Sequence, residues 1–269
     1  MPKVAVAQMN SSDDVGGNLE TIEALCRSAV EQGCALLALP ECCAFMQRNR
    51  AQLFVKSQPE STGMICAELS RMAKANKLWL MAGSVSFINA DGSRVLNRTL
   101  VFGSDGQLAA EYDKIHLFDV ELSTDESYFE SGYTDPGDKL RVVDTPIGSI
   151  GLSICYDLRF PNMYRQLVGL GAEILTVPSA FAVTTGRVHW EPMLRTRAIE
   201  NACYVLAPAQ TGHHPSGRST FGHSMIVSPW GEITAEIDKH TGIVCGVIDE
   251  ALLADTRRRL PGWQIDRRY

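Results

Sequence analysis

Three side chains of complementary chemistry each stand at the end of an apolar run. Glu41 follows ALLALP at 35–40, Lys114 lies in EYDKIHL at the end of 108–115, and Cys155 closes GSIGLSIC. A free thiol titrates near about 8.5 and is only a few per cent thiolate at neutral pH. An ammonium beside it lowers that value and can hold the negative oxygen of a tetrahedral adduct. A partly buried carboxylate can take the thiol proton, pass it to a leaving amine and then activate water. The backbone N–H of Tyr156, where strand gives way to helix, is placed to complete an oxyanion hole. Such a set suits acyl transfer away from nitrogen. The thiol attacks an amide carbonyl, ammonia leaves and water cleaves the thioester, with no metal and no organic cofactor.

Strand ends in α/β sheets are where sites are assembled, so the fold must bring three of them to one edge. The pattern predicts a strand at 4–8, an amphipathic helix at 17–33 and a buried strand at 35–40. A helix at 61–77 follows, signalled by Ser61 and Thr62, with Ile65, Leu69 and Met72 on its apolar side. A strand at 78–87 leads to a hairpin, 98–102 with 108–115, around Ser104-Asp105-Gly106. After an irregular stretch, 116–139, the order repeats: strand 150–155, helix 162–170, strand 174–178, helix 191–201, strand 204–208, then a hairpin of 224–228 with 232–237. LALPECC in the first half corresponds to LTVPSAF in the second. Residues 242–249 add a late strand, and a helix follows. Short, continuous apolar strands are buried on both faces, whereas the helices carry one apolar stripe. The expected fold is α/β: a four-layer α-β-β-α sandwich of two pseudo-symmetric β-α-β-α-β-β halves, with 1–269 as one domain.

Composition bounds the partners. The 269 residues are 45% hydrophobic and 21% charged, and 25 Lys+Arg against 31 Asp+Glu give a net charge of −6. With no basic stripe, nucleic acid is not an expected partner. Nowhere do 18 apolar residues run together, and MPKVAVAQMN lacks the apolar core of a signal peptide, so the expectation is a cytoplasmic chain without a membrane partner. The eight cysteines form no C-x-x-C and are expected to be reduced. No nucleotide-binding glycine motif occurs. Rival chemistries would pair Cys155 with His116, His189 or His223 as in papain, or place zinc at His213, His214 and His223.

LPECC, YDKIHLFD and ICYDLRFP resemble the Glu, Lys and Cys motifs of the nitrilase superfamily of carbon–nitrogen hydrolases. The resemblance runs from residue 3 to the tail and includes NRTLVFGSDG, PSAF, HWEPMLRTRAIEN and GHSMIVSPWGE. It implies Glu41 as general base and acid, Lys114 as oxyanion stabiliser and Cys155 as nucleophile, on the same sandwich. It also implies that Glu130, in SYFESGYTDPG, supports the lysine and helps orient substrate. KIHLFDVE, TG-x-x-HW and HHPSGRSTFGHS are similar to the omega-amidase and deaminated-glutathione-amidase branch, and His213-His214 with Arg218 incline toward the second. That branch implies a small-molecule ω-amide of an α-keto acid, bearing a second carboxylate. A guanidinium grips carboxylate through two parallel hydrogen bonds, and Arg159 is the leading candidate, unless it pairs with Asp157 or another acid. Phe181 and Thr185 are expected to line the pocket. Arg48 and Arg50 belong either to a loop closing over substrate or to solvated surface. The resemblance further implies at least a homodimer, or a higher homo-oligomer, through the helices after Cys155 and Trp190. Alternatives within the superfamily are a nitrilase, another amidase or a non-catalytic signalling member. ELSTDESYF departs from the family pattern, which leaves the outer wall of the pocket open.

Overall fold

The computed structural model describes residues 1–59, 63–124 and 126–264. Its first half runs β1 (Lys3–Met9), α1 (Val15–Glu31), β2 (Leu36–Ala38), α2 (Arg50–Lys56), β3 (Gln58–Pro59), α3 (Met64–Asn76), β4 (Trp79–Ile88), β5 (Val95–Phe102) and β6 (Leu108–Asp113). A separate hairpin, β7 (Asp119–Glu121) with β8 (Ser127–Phe129), follows. The second half runs β9 (Val142–Thr145), β10 (Gly148–Gly151), α4 (Pro161–Gly169), β11 (Ile174–Thr176), α5 (Val183–Asn201), β12 (Tyr204–Ala207), β13 (Ala209–His213), β14 (Ser219–Phe221), β15 (Ser224–Val227) and β16 (Ile233–Ile237). β17 (Gly242–Val247) and α6 (Glu250–Arg259) come last.

One sheet has the order β14-β13-β1-β2-β4-β5-β6, with β17 antiparallel to β1; the other has the order β16-β15-β12-β11-β10-β9. In each half three parallel strands, β1-β2-β4 or β10-β11-β12, are flanked by an antiparallel pair, β5-β6 or β15-β16.

Successive side chains on a strand point to opposite faces, and the first sheet divides its residues accordingly. Ala5, Ala7, Leu37, Leu39, Leu80 and Ala82 pack with Leu19, Ile22 and Leu25 of α1 and with Ile65, Leu69 and Met72 of α3. Their neighbours Val4, Val6, Leu36, Ala38, Met81 and Val101 join Ile150, Ile174 and Val205 of the other sheet, together with Tyr164, Leu167, Trp190 and Leu194 of α4 and α5. Both faces are therefore dry, and the layers stack α-β-β-α as expected. Burying each such Val, Leu or Ile contributes about 1.5–3 kcal/mol. Gly83 marks a close approach of the halves: a Cβ there would lie 2.0 Å from Leu39 O and 2.5 Å from Pro178 Cβ.

Several expectations shift. The helix predicted at 61–77 begins at Met64, and Ser61 and Thr62 lie outside the described residues. α5 starts at Val183 rather than 191 and carries Pro192 inside it, because Thr185, Gly186 and Trp190 are buried by tertiary packing that outweighs weak local propensity. β10 leaves the sheet at Gly151, and Cys155 opens a 3-10 turn (Cys155–Arg159) instead of ending the strand. The stretch at 116–139 contains the β7–β8 hairpin, and α2 occupies part of the supposed loop after Cys43, capped by Asn49 Oδ1 accepting from Gln52 N at 3.0 Å.

Candidate active site

Each reactive residue is presented by backbone that the sheets hold in place. After β2, Leu39 N donates to Met81 O and Cys42 N to the Ser84 hydroxyl, so Glu41 is pinned beside β4. After β6, Lys114 N donates to Asn97 O of β5. After β10, Cys155 N donates to Pro178 O at 3.0 Å, tying the nucleophile candidate to the loop that follows β11. Cys42 and Cys155 both adopt left-handed backbone, with φ of 56° and 48°. Such conformations cost non-glycine residues about 1–3 kcal/mol each and persist where surrounding structure over-determines them.

The three side chains meet. Lys114 Nζ donates to Glu41 Oε1 and to Glu130 Oε2, both at 2.9 Å. Asn97 Nδ2 donates to Glu41 Oε1 at 3.0 Å and Glu130 Oε1 at 3.2 Å. Backbone N–H groups take further lone pairs: Ala180 N donates to Glu41 Oε2 at 2.8 Å and Phe118 N to Glu130 Oε2 at 2.7 Å. Cys155 lines a cavity of about 90 Å³ with Glu41, Lys114, Glu130, Asn97, Tyr133 and Arg218. Glu41, Lys114 and Cys155 are only 4%, 2% and 6% exposed, so their charges act in a poorly screened environment.

Burial alone would raise the Glu41 carboxyl. The Lys114 charge and hydrogen bond overcome it, aided by Arg218 and the Ala180 N–H, and hold the acid below its ordinary value. Burial likewise opposes the Lys114 charge, but Glu130 and Glu41 keep the ammonium protonated well above its usual range. Cys155 differs from expectation. Burial and then the Glu41 charge push the thiol up to about 12, against the opposing pull of Lys114 and Arg218. The ammonium therefore does not produce a resting thiolate. The thiol is held in its protonated form, with Glu41 as its hydrogen-bonded partner.

A second, narrower lobe of about 10 Å³ adjoins the thiol and is lined by Tyr156, Arg159, Phe181, Thr185, Ala180 and Arg218. Arg159 does not pair with Asp157. Its Nη1 and Nη2 lie 3.3 Å from His189 Nδ1, and its Cζ lies 5.5 Å from the Phe181 ring centroid and 5.8 Å from that of Tyr156. Among the described residues no carboxylate lies within ion-pair distance of it. Arg48 pairs with Asp13 at 2.6 Å on the surface, while Arg50 stands over Phe54 and Tyr133. Tyr128 and Phe129 of the β7–β8 hairpin form the outer wall that the sequence leaves open.

Three site residues escaped the sequence reading of roles. Asn97 is a buried amide inside the apolar run VLNRTLVF, a polar interruption that signals an inward partner. Arg218 reaches the cavity from the β13–β14 turn. Asp157, fully buried, accepts from Ile154 N at 2.8 Å, the Tyr112 hydroxyl at 2.7 Å and His116 N at 3.0 Å, with His116 Nδ1 at 2.7 Å. One carboxylate thus ties the residue before Cys155 to residues on either side of Lys114. His116 is occupied by Asp157, His223 by Glu236 at 2.9 Å, and both His214 nitrogens by Ser11 O and Thr220 Oγ1. Among the described residues no histidine lines either lobe, and no cluster of three or more His, Cys, Asp or Glu could hold a metal, so the papain-type and zinc arrangements find no support.

A buried acid hydrogen-bonded to an ammonium, beside a thiol with fixed backbone, can transfer a proton from sulfur and stabilise an oxyanion. Comparison with known proteins agrees in kind. The carbon–nitrogen hydrolase family profile matches residues 3–258. Deaminated glutathione amidase of Mus musculus is 40% identical over 268 residues, covering 98% of this chain and 83% of that one. Among solved structures, the NitFhit protein of C. elegans superposes with a TM-score of 0.91 at 35% identity, over 99% of this chain and 65% of that one. Saccharomyces cerevisiae Nit3, a member of branch 10 of the nitrilase superfamily, gives 0.87 at 30% identity, over 97% and 94% of the two chains. The chain belongs to the carbon–nitrogen hydrolase family, within the nitrilase superfamily, and has that superfamily's α-β-β-α fold.

Proposed function

We propose that the enzyme hydrolyses the ω-amide of an α-keto acid, with deaminated glutathione as the first substrate to test, through a thioester on Cys155. The observation that carries this reading is the 2.9 Å contact of Lys114 Nζ with Glu41 Oε1, in a cavity whose wall includes Cys155. Glu41 takes the sulfur proton as Sγ attacks the amide carbonyl carbon. The carbonyl oxygen becomes an oxyanion facing the Lys114 ammonium and the Tyr156 N–H. Collapse of the adduct breaks the C–N bond, and Glu41 returns its proton to the departing nitrogen. Water then adds to the thioester carbonyl as Glu41 accepts its proton, and the released sulfur regains a proton from Glu41. A simple ω-amide releases ammonia. In deaminated glutathione the nitrogen belongs to cysteine, so the leaving amine is cysteinylglycine and the acid product 2-oxoglutarate. Glu130 holds Lys114, and Arg159, flanked by Phe181 and Thr185, grips the carboxylate of the acyl portion.

The test is release of 2-oxoglutarate from deaminated glutathione by the wild-type protein and by Cys155→Ala. Turnover that vanishes in the variant supports the reading; no release by the wild type, or equal release by the variant, contradicts it.

A homodimer through α4 and α5 is part of the same reading, supported by Leu170, Val188 and Ile199, which are 61%, 65% and 49% exposed. A monomeric mass by light scattering would contradict it. The cytoplasm is the compartment that suits the free cysteines. Among the described residues no helix is long and apolar enough to cross a membrane.

A further inference from the structure

Arg218 has no part in the steps above, yet it stands where the two lobes meet at Cys155. Its placement is fixed from several sides. His214 N donates to Arg218 O at 2.9 Å, and the His214 ring is held by Ser11 O at 3.0 Å and Thr220 Oγ1 at 2.7 Å. The guanidinium Nη2 donates to Ala180 O, and Cζ lies 4.9 Å from the centroid of the Tyr128 ring. Ala180 also donates its N–H to Glu41, so one residue positions the acid and the guanidinium together.

What this cation lacks is an anion. Among the described residues no Asp or Glu lies within ion-pair distance of it, and its buried Nε has no hydrogen-bond partner. Guanidinium is always charged, and a buried donor left unpaired is costly. A cation held this way at a cavity wall is prepared for an oxygen that arrives with the substrate.

We propose that Arg218 is a specificity-determining residue that binds a carboxylate on the amine portion of the substrate. The pocket then selects amides with an anionic group on each side of the scissile bond. This rests on the reaction proposed above, in which Arg159 serves the acyl side. The division follows from the lobes. Arg159 lies in the smaller lobe, of about 10 Å³, together with Phe181 and Thr185. Arg218 also faces the cavity of about 90 Å³, whose lining includes Phe129, 69% exposed. The amine portion must leave toward solvent, and that is the open direction.

The experiment compares deaminated glutathione with its C-terminal glycinamide, which lacks only the amine-side carboxylate, by 2-oxoglutarate release. The wild type should prefer the acid, and Arg218→Gln should lower the acid-to-amide ratio of kcat/KM by about thirtyfold or more, the loss expected for one partner of a desolvated charge pair. Arg218→Lys should recover part of the ratio, whereas Arg159→Gln should weaken both compounds alike. An unchanged ratio in Arg218→Gln, or equal loss for both compounds, overturns the inference. If the wild type turns over neither compound, the proposed reaction fails, and calorimetric binding to Cys155→Ala decides this inference separately. Tighter binding of the acid that disappears in Cys155→Ala/Arg218→Gln supports it, while equal binding, or none, overturns it.

Discussion

The two halves of the molecule share a strand order but deliver different chemistry from equivalent places. In the first, β2 runs into Pro40 and then Glu41, whose carboxylate enters the cavity. In the second, β11 runs into Pro178, Ser179 and Ala180, and here the backbone acts: Pro178 O accepts from Cys155 N, and Ala180 N donates to Glu41. The first half supplies a carboxylate after β2 and an ammonium after β6. The second supplies the sulfur after β10, together with the peptide groups that orient both. One scaffold used twice can thus assemble a site that neither half contains. The contact of Gly83 with Leu39 and Pro178 shows how tightly the two loops must meet for this to work.

Changes that remove one half's contribution should break the site most severely. Lys114→Ala deletes the first half's cation and leaves Glu41 and Glu130 facing each other; we expect kcat to fall by about a hundredfold or more, the usual cost of one oxyanion donor. A steady-state rate near wild type would mean that the ammonium does not face the substrate oxygen. Asp157→Asn tests the link between the halves. The amide would present N–H to donors that now meet carboxylate oxygens, so the Cys155 and Lys114 backbones should shift relative to each other. The expected result is a drop in kcat of about tenfold or more with KM changed far less, as for misplacement of reacting groups. An equal change in both parameters would make Asp157 a general stabiliser of the fold. Arg159→Ala should cost about 2–5 kcal/mol in binding of carboxylate-bearing amides if the pair is desolvated. Equal weakening of a neutral amide would count against the clamp.

Acid stability offers a milder probe of the first half. The Glu41 carboxyl is held below its ordinary value of 4.5, so its ion pair stabilises the native state above that pH and is lost as pH falls through the lower folded value. Thermal melting below about pH 4.5 should therefore decline more in the wild type than in Glu41→Gln. Parallel decline would place the acid sensitivity elsewhere.

Much of this arrangement is legible in the residues themselves. Apolar runs such as ALLALP and ILTVP mark strands buried on both faces, and the repeat of strand and helix marks the halves. What the sequence hides are contacts set by distance along the chain. Asp157 meets Tyr112 and His116 across more than forty residues, and Arg218, just past the turn Pro215-Ser216-Gly217, reaches Ala180 across 38. Direction of charge effects is hidden too. A lysine near a cysteine suggests a thiolate, yet burial and Glu41 reverse the sign. Helix α5 is concealed for a related reason, since packing of Trp190 and Gly186 extends it through residues with weak helical preference.

In the proposed reaction Cys155 forms an acyl bond to the substrate. Mass spectrometry of acid-quenched turnover mixtures with deaminated glutathione, on the intact protein and after peptide mapping, is the decisive measurement. The expected result is a 2-oxoglutaryl adduct on the peptide containing Cys155, absent from Cys155→Ala. Full turnover by that variant, or an adduct on any other residue, would contradict it.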